Sequence, residues 1–444
     1  MKKFAGILTA ALILAGCSTD RTQELKVYNW STYIDETLIG EFEQWYEEQT
    51  GEKVHVIYQT FDVLETMLSK IEKGHEDYDV VCPSDYIIER MLQQDLLIPI
   101  DHSILGDTPD YMKENVSPFI QGYFGKLAGN GKNANDYAVG YMWGTTGILY
   151  NAKYVTDEEA STWEILHNPK FAGKIFIKDS PRDVGSQILF CVRQDDLKNG
   201  VITADQLMLD SSDESIAKVE AWLNEAKQHI AGWEADFGKE EMIKERGWVN
   251  VNWSGDSEWA IEEAAEVGVD LRFATPKEGF TIFFDGWVIP KYARNIKAAT
   301  YWINFLCRQD IAIRNADEIG YVPCVGGQEV LDYFSDDSFD PIDVSYFFGP
   351  EADSVRINPV LYPDIDDINR SAMEHDWGQD TAKLIAMWSR VKGSNANATT
   401  IIVIAAVAAV LVFFLVRSRV AASRKKKSHR RRCRSTRHRA SPAS

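Results

Sequence analysis

The succession of patterns over residues 25–84 leaves few folds open to this chain. Leu25-Lys26-Val27-Tyr28-Asn29-Trp30 has the character of a strand, and Tyr33 to Thr50 then carries Leu38, Ile39, Phe42 and Trp45 at helical spacing. Val54 to Tyr58 predicts a second strand and Leu64 to Ile71 a second helix. Tyr78-Asp79-Val80-Val81-Cys82-Pro83-Ser84 predicts a near-continuous apolar strand. An apolar run without alternation is what a parallel sheet covered on both faces selects. Strand, helix, strand, helix, strand in that order is an α/β fold.

A chain of 444 residues has room for two domains with full cores. Tyr137 to Asn151 reads as a long strand pair crossing from one half to the other. Lys174 to Asp179 and Trp248 to Trp253 read as strands, Ser215 to Ile230 and Glu258 to Glu266 as helices, and Thr281 to Pro290 as a strand returning the chain to the first half. Crossings near 138–144 and 279–286 would make a hinged pair of lobes with a cleft between them. On that reading lobe 1 comprises 25–138 and 286–335, and lobe 2 comprises 139–285 and 336–392.

The termini differ in kind from the rest. Residues 1–17 have a basic start (Lys2, Lys3), a short apolar core and the ending Leu14-Ala15-Gly16-Cys17. That ending resembles a bacterial lipobox with Cys17 as the lipidated residue, and an ordinary signal peptide is the other reading; both export the chain. Thr399 to Val416 is an 18-residue uncharged run, expected as a transmembrane helix after a 393–398 linker. Twelve Lys/Arg and no acid lie from Arg417 onward, so 417–444 is expected as a basic cytoplasmic tail by the positive-inside rule. That leaves 35 basic against 67 acidic residues before the tail. So acidic a surface disfavours nucleic acid and concentrates cations at a cleft.

Cys82, Cys191, Cys307 and Cys324 show no metal spacing; Cys82 reads as a buried thiol, and a Cys307–Cys324 bridge is left open. No GxSxG, Walker loop or HExxH is present, so an enzyme is not expected.

One carboxylate, Asp285, interrupts the apolar run Thr281-Ile282-Phe283-Phe284 ahead of Gly286-Trp287-Val288-Ile289-Pro290. A buried charge is costly unless a positive group meets it. An acid beside two phenyl rings suits an organic cation, whose ammonium takes the oxygens and whose chain takes the ring faces. A turn-capping Asp at a strand end is the alternative.

VYNWSTYI (27–34), YDVVCPSDY (78–86), YMWGTTGILYN (141–151), WSGD (253–256), PKEGFTIFFD (276–285) and IGYVP (319–323) resemble the bacterial spermidine/putrescine-binding proteins, the substrate-capturing subunits of polyamine ABC importers. The resemblance covers roughly 25–392. It implies the two-lobed class II periplasmic binding-protein fold, no cofactor, a monomer and an extracytoplasmic place; attachment to the cell membrane is expected from the terminal sequences, through Cys17 and the C-terminal span. Trp30, Ser31 and Tyr33 match the family's first-strand loop, and Ser84 and Tyr86 the loop after the third strand. Trp253 matches an aromatic wall and Asp256 a carboxylate of the putrescine-preferring branch. Phe283 and Asp285 match the crossing strand, and Tyr321 a later polar aromatic. Asp183, in KDSPRDV, aligns with an amine-binding Glu. Ser180 and Thr32 stand where the two branches of the family each carry a further acid, so preference between diamine and triamine stays open.

Taken singly, Trp30 and Trp253 also read as core and Ser84 as a helix cap; only the set, each at a strand's carboxyl end, points to a site. The expected function is capture of putrescine or spermidine and delivery to an ABC permease. The alternatives are the same fold for another organic cation or a metal, or a membrane-tethered polyamine sensor.

Overall fold

The structure is a computed structural model, and it describes residues 21–393. By contact the chain divides into two compact units, residues 1–385 and 386–444. The candidate site belongs wholly to the first.

In chain order the strands of the central sheet are β1 (Glu24–Trp30), β2 (His55–Phe61), β3 (Val80–Val81), β4 (Leu97–Ile98), β5 (Ala138–Asn151), β6 (Ile175–Lys178), β7 (Ile230–Glu234), β8 (Val249–Trp253), β9 (Leu271–Ala274), β10 (Phe280–Pro290), β11 (Val322–Pro323) and β12 (Ser371–Met373). The helices that matter to the site are α1 (Thr37–Thr50), α2 (Leu64–Glu72), α3 (Asp85–Gln93), α4 (Pro181–Val192), α5 (Asp213–Ala226) and α6 (Ser254–Glu266). Strand order is β2-β1-β3-β10-β5-β8-β6-β7, with β9 and β11 on β5 and β4 and β12 on β10.

Two long strands join the halves of this sheet. All 14 residues of β5 are buried. Its first half pairs antiparallel with β10, from Ala138↔Val288 to Thr145↔Ile282. Its second half pairs with β8, from Thr146↔Trp253 to Tyr150↔Val249. The far end of β10 meets β3 at Val288↔Val81. The β2-β1-β3 group and the β8-β6-β7 group therefore hang on opposite ends of one strand pair. This is the α/β two-lobe arrangement expected from the crossings.

One hydrophobic core packs the β1–β3 side, from Leu25 and Val27 through Trp143 to Trp287 and Trp302. Val344, Phe347, Tyr362 and Ile368, in the segment assigned to lobe 2, share this core. Leu149, Met242, Ala260, Ala264 and Leu271 form a separate cluster under β9 and α6.

The sequence-based expectations need correction in several places. Among the described residues no helix is long and apolar enough to cross a membrane. Over the described residues the fold is accordingly the α/β part, and the expected transmembrane helix is not among their helices. Cys17, Thr399–Val416 and the basic tail lie outside the described residues. The third strand is two residues long, and Ile230 opens β7 instead of closing a helix. All four described cysteines are free, so Cys307 and Cys324 form no bridge.

Candidate functional site

Asp285 lies where the register of β10 against β5 shifts, between Asp285 and Gly286. Such a bulge re-aims a side chain. Alternation along the strand puts Phe284 into the core, 0 % exposed against Trp143 and Tyr123, and leaves Phe283 half-buried on the same face as Asp285. The Asp285 carboxylate is 6 % exposed. The Tyr33 hydroxyl donates to Oδ2 at 2.8 Å and the Ser84 hydroxyl to Oδ1 at 2.6 Å. Ser84 precedes α3 without capping it, because its hydroxyl is turned to Asp285. Trp30 Nε1 makes no hydrogen bond of standard geometry, yet it is near enough to favour the ionised carboxylate. Burial outweighs these donors and pushes Asp285 up to about 6.

Aromatic rings surround that carboxylate. Tyr33 and Tyr321 meet edge to face at 5.4 Å, and Phe283 meets Tyr321 at 6.3 Å. Burial, then Asp256 and Asp285, raise the Tyr321 phenol well above its ordinary value, so it stays a neutral donor between the two acids. Gly255 is required here, since a Cβ on it would meet the Tyr321 ring at 2.6 to 2.8 Å. Gly144 has the same role opposite Phe283, where a Cβ would lie 2.7 Å from the ring. Ser254 Oγ accepts from the Thr145 backbone N–H at 3.1 Å and ties the start of α6 to β5.

On the β8 side, the Trp253 indole N–H donates to Asp183 Oδ1 at 3.3 Å. Ser180 caps α4 by accepting from the Asp183 backbone N–H, which fixes Asp183 in the first turn. Asp256, 8 % exposed in the first turn of α6, has two ammonium groups of the chain's own for neighbours. Lys239 Nζ lies 3.1 Å from Oδ1 and Lys178 Nζ 3.5 Å from Oδ2. Tyr86 carries the Arg182 guanidinium over its ring at 4.2 Å. Arg182 donates to the His375 carbonyl at 2.8 Å. Beside it Glu374 is pushed up to about 8, first by burial and then by Asp183.

The structure thus brings Trp30, Tyr33, Ser84, Phe283, Asp285 and Tyr321 together and joins Asp183 to Trp253. It does not bring Ser31 to them: Ser31 is exposed and donates to Asp62 at 2.6 Å. Lys178, Glu234, Lys239, Arg182 and Glu374 were not anticipated. Lys178 had a readable signal, a lysine ending the otherwise apolar strand Ile175-Phe176-Ile177. Arg182 adjoins Asp183 in KDSPRDV, and the others reach the site through long-range folding alone. A pocket of about 470 Å³ lies beyond Tyr33, lined also by Glu36 and Lys70; with one acid and one ammonium on its wall it is a poor cation trap. Among the described residues no group of three or more His, Cys, Asp or Glu is placed to hold a metal ion.

The sequence profile of bacterial extracellular solute-binding proteins matches residues 42–328. The chain belongs to that family.

This solute-binding protein is 27 % identical over 406 residues to the spermidine/putrescine-binding periplasmic protein of Escherichia coli K12, covering 88 % of this chain and 99 % of that one. It is 28 % identical over 335 residues to the putrescine-binding periplasmic protein PotF of the same organism, covering 72 % and 83 %. Among solved structures, a spermidine/putrescine ABC transporter protein of Listeria monocytogenes superposes with a TM-score of 0.64 at 28 % identity, over 83 % of this chain and 99 % of that one. The solute-binding family and these relatives are transport proteins that bind substrates.

Proposed function

We propose that this solute-binding protein captures a polyamine outside the cytoplasm and delivers it to the permease of an ABC importer, without chemistry on the ligand. The observation that carries the reading is Asp285, a buried carboxylate with hydroxyl donors, four aromatic neighbours and no cation paired to it among the described residues. Its relatives named for putrescine and spermidine support the choice of ligand. On this reading one amine end takes Asp285, with Trp30, Tyr33, Ser84, Phe283 and Tyr321 around it. The other is held by Asp183 beside Trp253 and Tyr86. Ser31 stands at the rim, and Asp256 acts on the ligand through its lysine neighbours. The two halves of the sheet close over the ligand by bending β5 and β10, and Cys17 is the point of lipid attachment.

Charge-assisted hydrogen bonds contribute about 1.5–3 kcal/mol each and cation–π contacts about 0.5–2, enough in combination for micromolar capture. Calorimetric titration with putrescine and spermidine tests this. Wild type should bind at least one of them, and Asp285→Asn should weaken it about 100-fold or more, since an amide keeps the shape but loses the charge. Equal affinity in the two proteins would refute the reading.

A further inference from the structure

All four residues of β6 are buried, and the last of them is Lys178. Its side chain is 1 % exposed. The ammonium stands 4.1 Å above the centre of the Trp253 ring, 3.2 Å from Glu234 Oε1 and 3.5 Å from Asp256 Oδ2. Neither ion pair has hydrogen-bond geometry, so Lys178 Nζ and Asp256 Oδ2 are both buried without a hydrogen-bond partner. The other Asp256 oxygen is taken by Lys239 at 3.1 Å, and Glu234 Oε2 accepts from the Gly238 backbone N–H. An ammonium resting on an indole between two carboxylates is where the end of a free alkylamine would settle. Here the chain supplies that ammonium itself.

Among the described residues, Asp285 and Asp183 are the acids of the site that carry charge near pH 7 with no cation paired to them; Glu374, pushed up to about 8, is mostly neutral there. Asp285 accepts from two hydroxyls and Asp183 from the Trp253 indole. Two such acids match two amines.

We propose that Lys178 is a specificity-determining residue: a tethered ammonium that fills the amine position between Trp253, Asp256 and Glu234 and so limits the ligand to a diamine. A triamine would have to place its third charge against an ammonium that cannot leave. The proposal rests on the polyamine reading above, and its test separates the two.

The full chain and its Lys178→Met variant are titrated with putrescine, spermidine and 4-aminobutyrate. Wild type should prefer putrescine to spermidine by about tenfold or more, and Lys178→Met should move that ratio toward spermidine by about tenfold or more. Lys178→Ala opens room for a small amine, so millimolar ethylammonium should raise its melting temperature and leave wild type unmoved. Should Lys178→Met not fold, the charge-balanced pair Lys178→Met with Glu234→Gln carries the same comparison. A lysine that only holds the fold together would lower both affinities equally, and ethylammonium would do nothing; that overturns the proposal while the polyamine reading stands. Tighter binding of 4-aminobutyrate than of putrescine would mean that Lys178 meets a ligand carboxylate, and it too overturns the proposal. Wild type binding neither polyamine removes both readings.

Discussion

At Asp285 burial and hydrogen bonding pull in opposite directions, and burial prevails. With the carboxyl near 6, the neutral form dominates below that value and the charged form above it. Alkylammonium groups stay charged throughout this range, as lysine does. A cation arriving below pH 6 must therefore expel a proton from Asp285, whereas above pH 7 it finds the charge already present. Ionisation of Glu374 near 8 adds a separate rise at the Asp183 end. The share of polyamine affinity that depends on Asp285 should be flat from about pH 7 to 8 and fall by up to about tenfold per unit below 6, measured by calorimetry in buffers of equal ionic strength. The Asp285→Asn variant should lack that slope. An unchanged slope in the variant would assign the titration elsewhere.

Neighbouring residues on one strand have opposite duties, and β10 shows it most clearly. Phe284 is sealed against Trp143, Tyr123 and Phe119, and Phe283 faces Tyr321 and the site. Phe284→Ala should cost about 3–5 kcal/mol in chemical denaturation, the range for emptying a buried aromatic position. Phe283→Ala should cost markedly less stability and weaken polyamine binding about tenfold, the loss of one ring contact. If both changes act on stability alone, Phe283 is no ligand wall. This strand was readable in the sequence because its β-branched and aromatic run carries a single acid. The first strand and the first two helices were readable for the same local reason. Tyr78 to Ser84 shrank to Val80–Val81, since a continuous apolar run reports burial and not pairing length. Ile230 looked like the end of a helix because it continues the apolar spacing of α5, whereas it opens β7. That Asp256 lies between two lysines was not legible, as Lys239 and Lys178 come from different elements and meet it only in the fold.

Across the described residues as a whole, stability rests on packing and not on disulfides. Cys82, Cys307 and Cys324 are buried, and burial pushes each thiol up, away from the reactive thiolate. Millimolar reductant should leave the melting temperature within about 1 °C of the untreated protein, far less than the 2–5 kcal/mol that loss of a native disulfide typically costs. A drop of several degrees would reveal a bridge. The two-lobe architecture was legible in the order of strand and helix patterns together with two long crossings. Its C-terminal return was not, because β12 is three residues long and pairs with a strand nearly a hundred positions earlier.

The hydroxyls of Tyr33 and Ser84 both donate to Asp285, and they come from the loops after β1 and β3. Two separate loops thus keep the receiving group aimed, with little rearranging left to do at that carboxylate at the moment of encounter. Capture should then run as fast as diffusion and the protein's negative field bring cations to the door, and added salt should slow arrival more than it hastens departure.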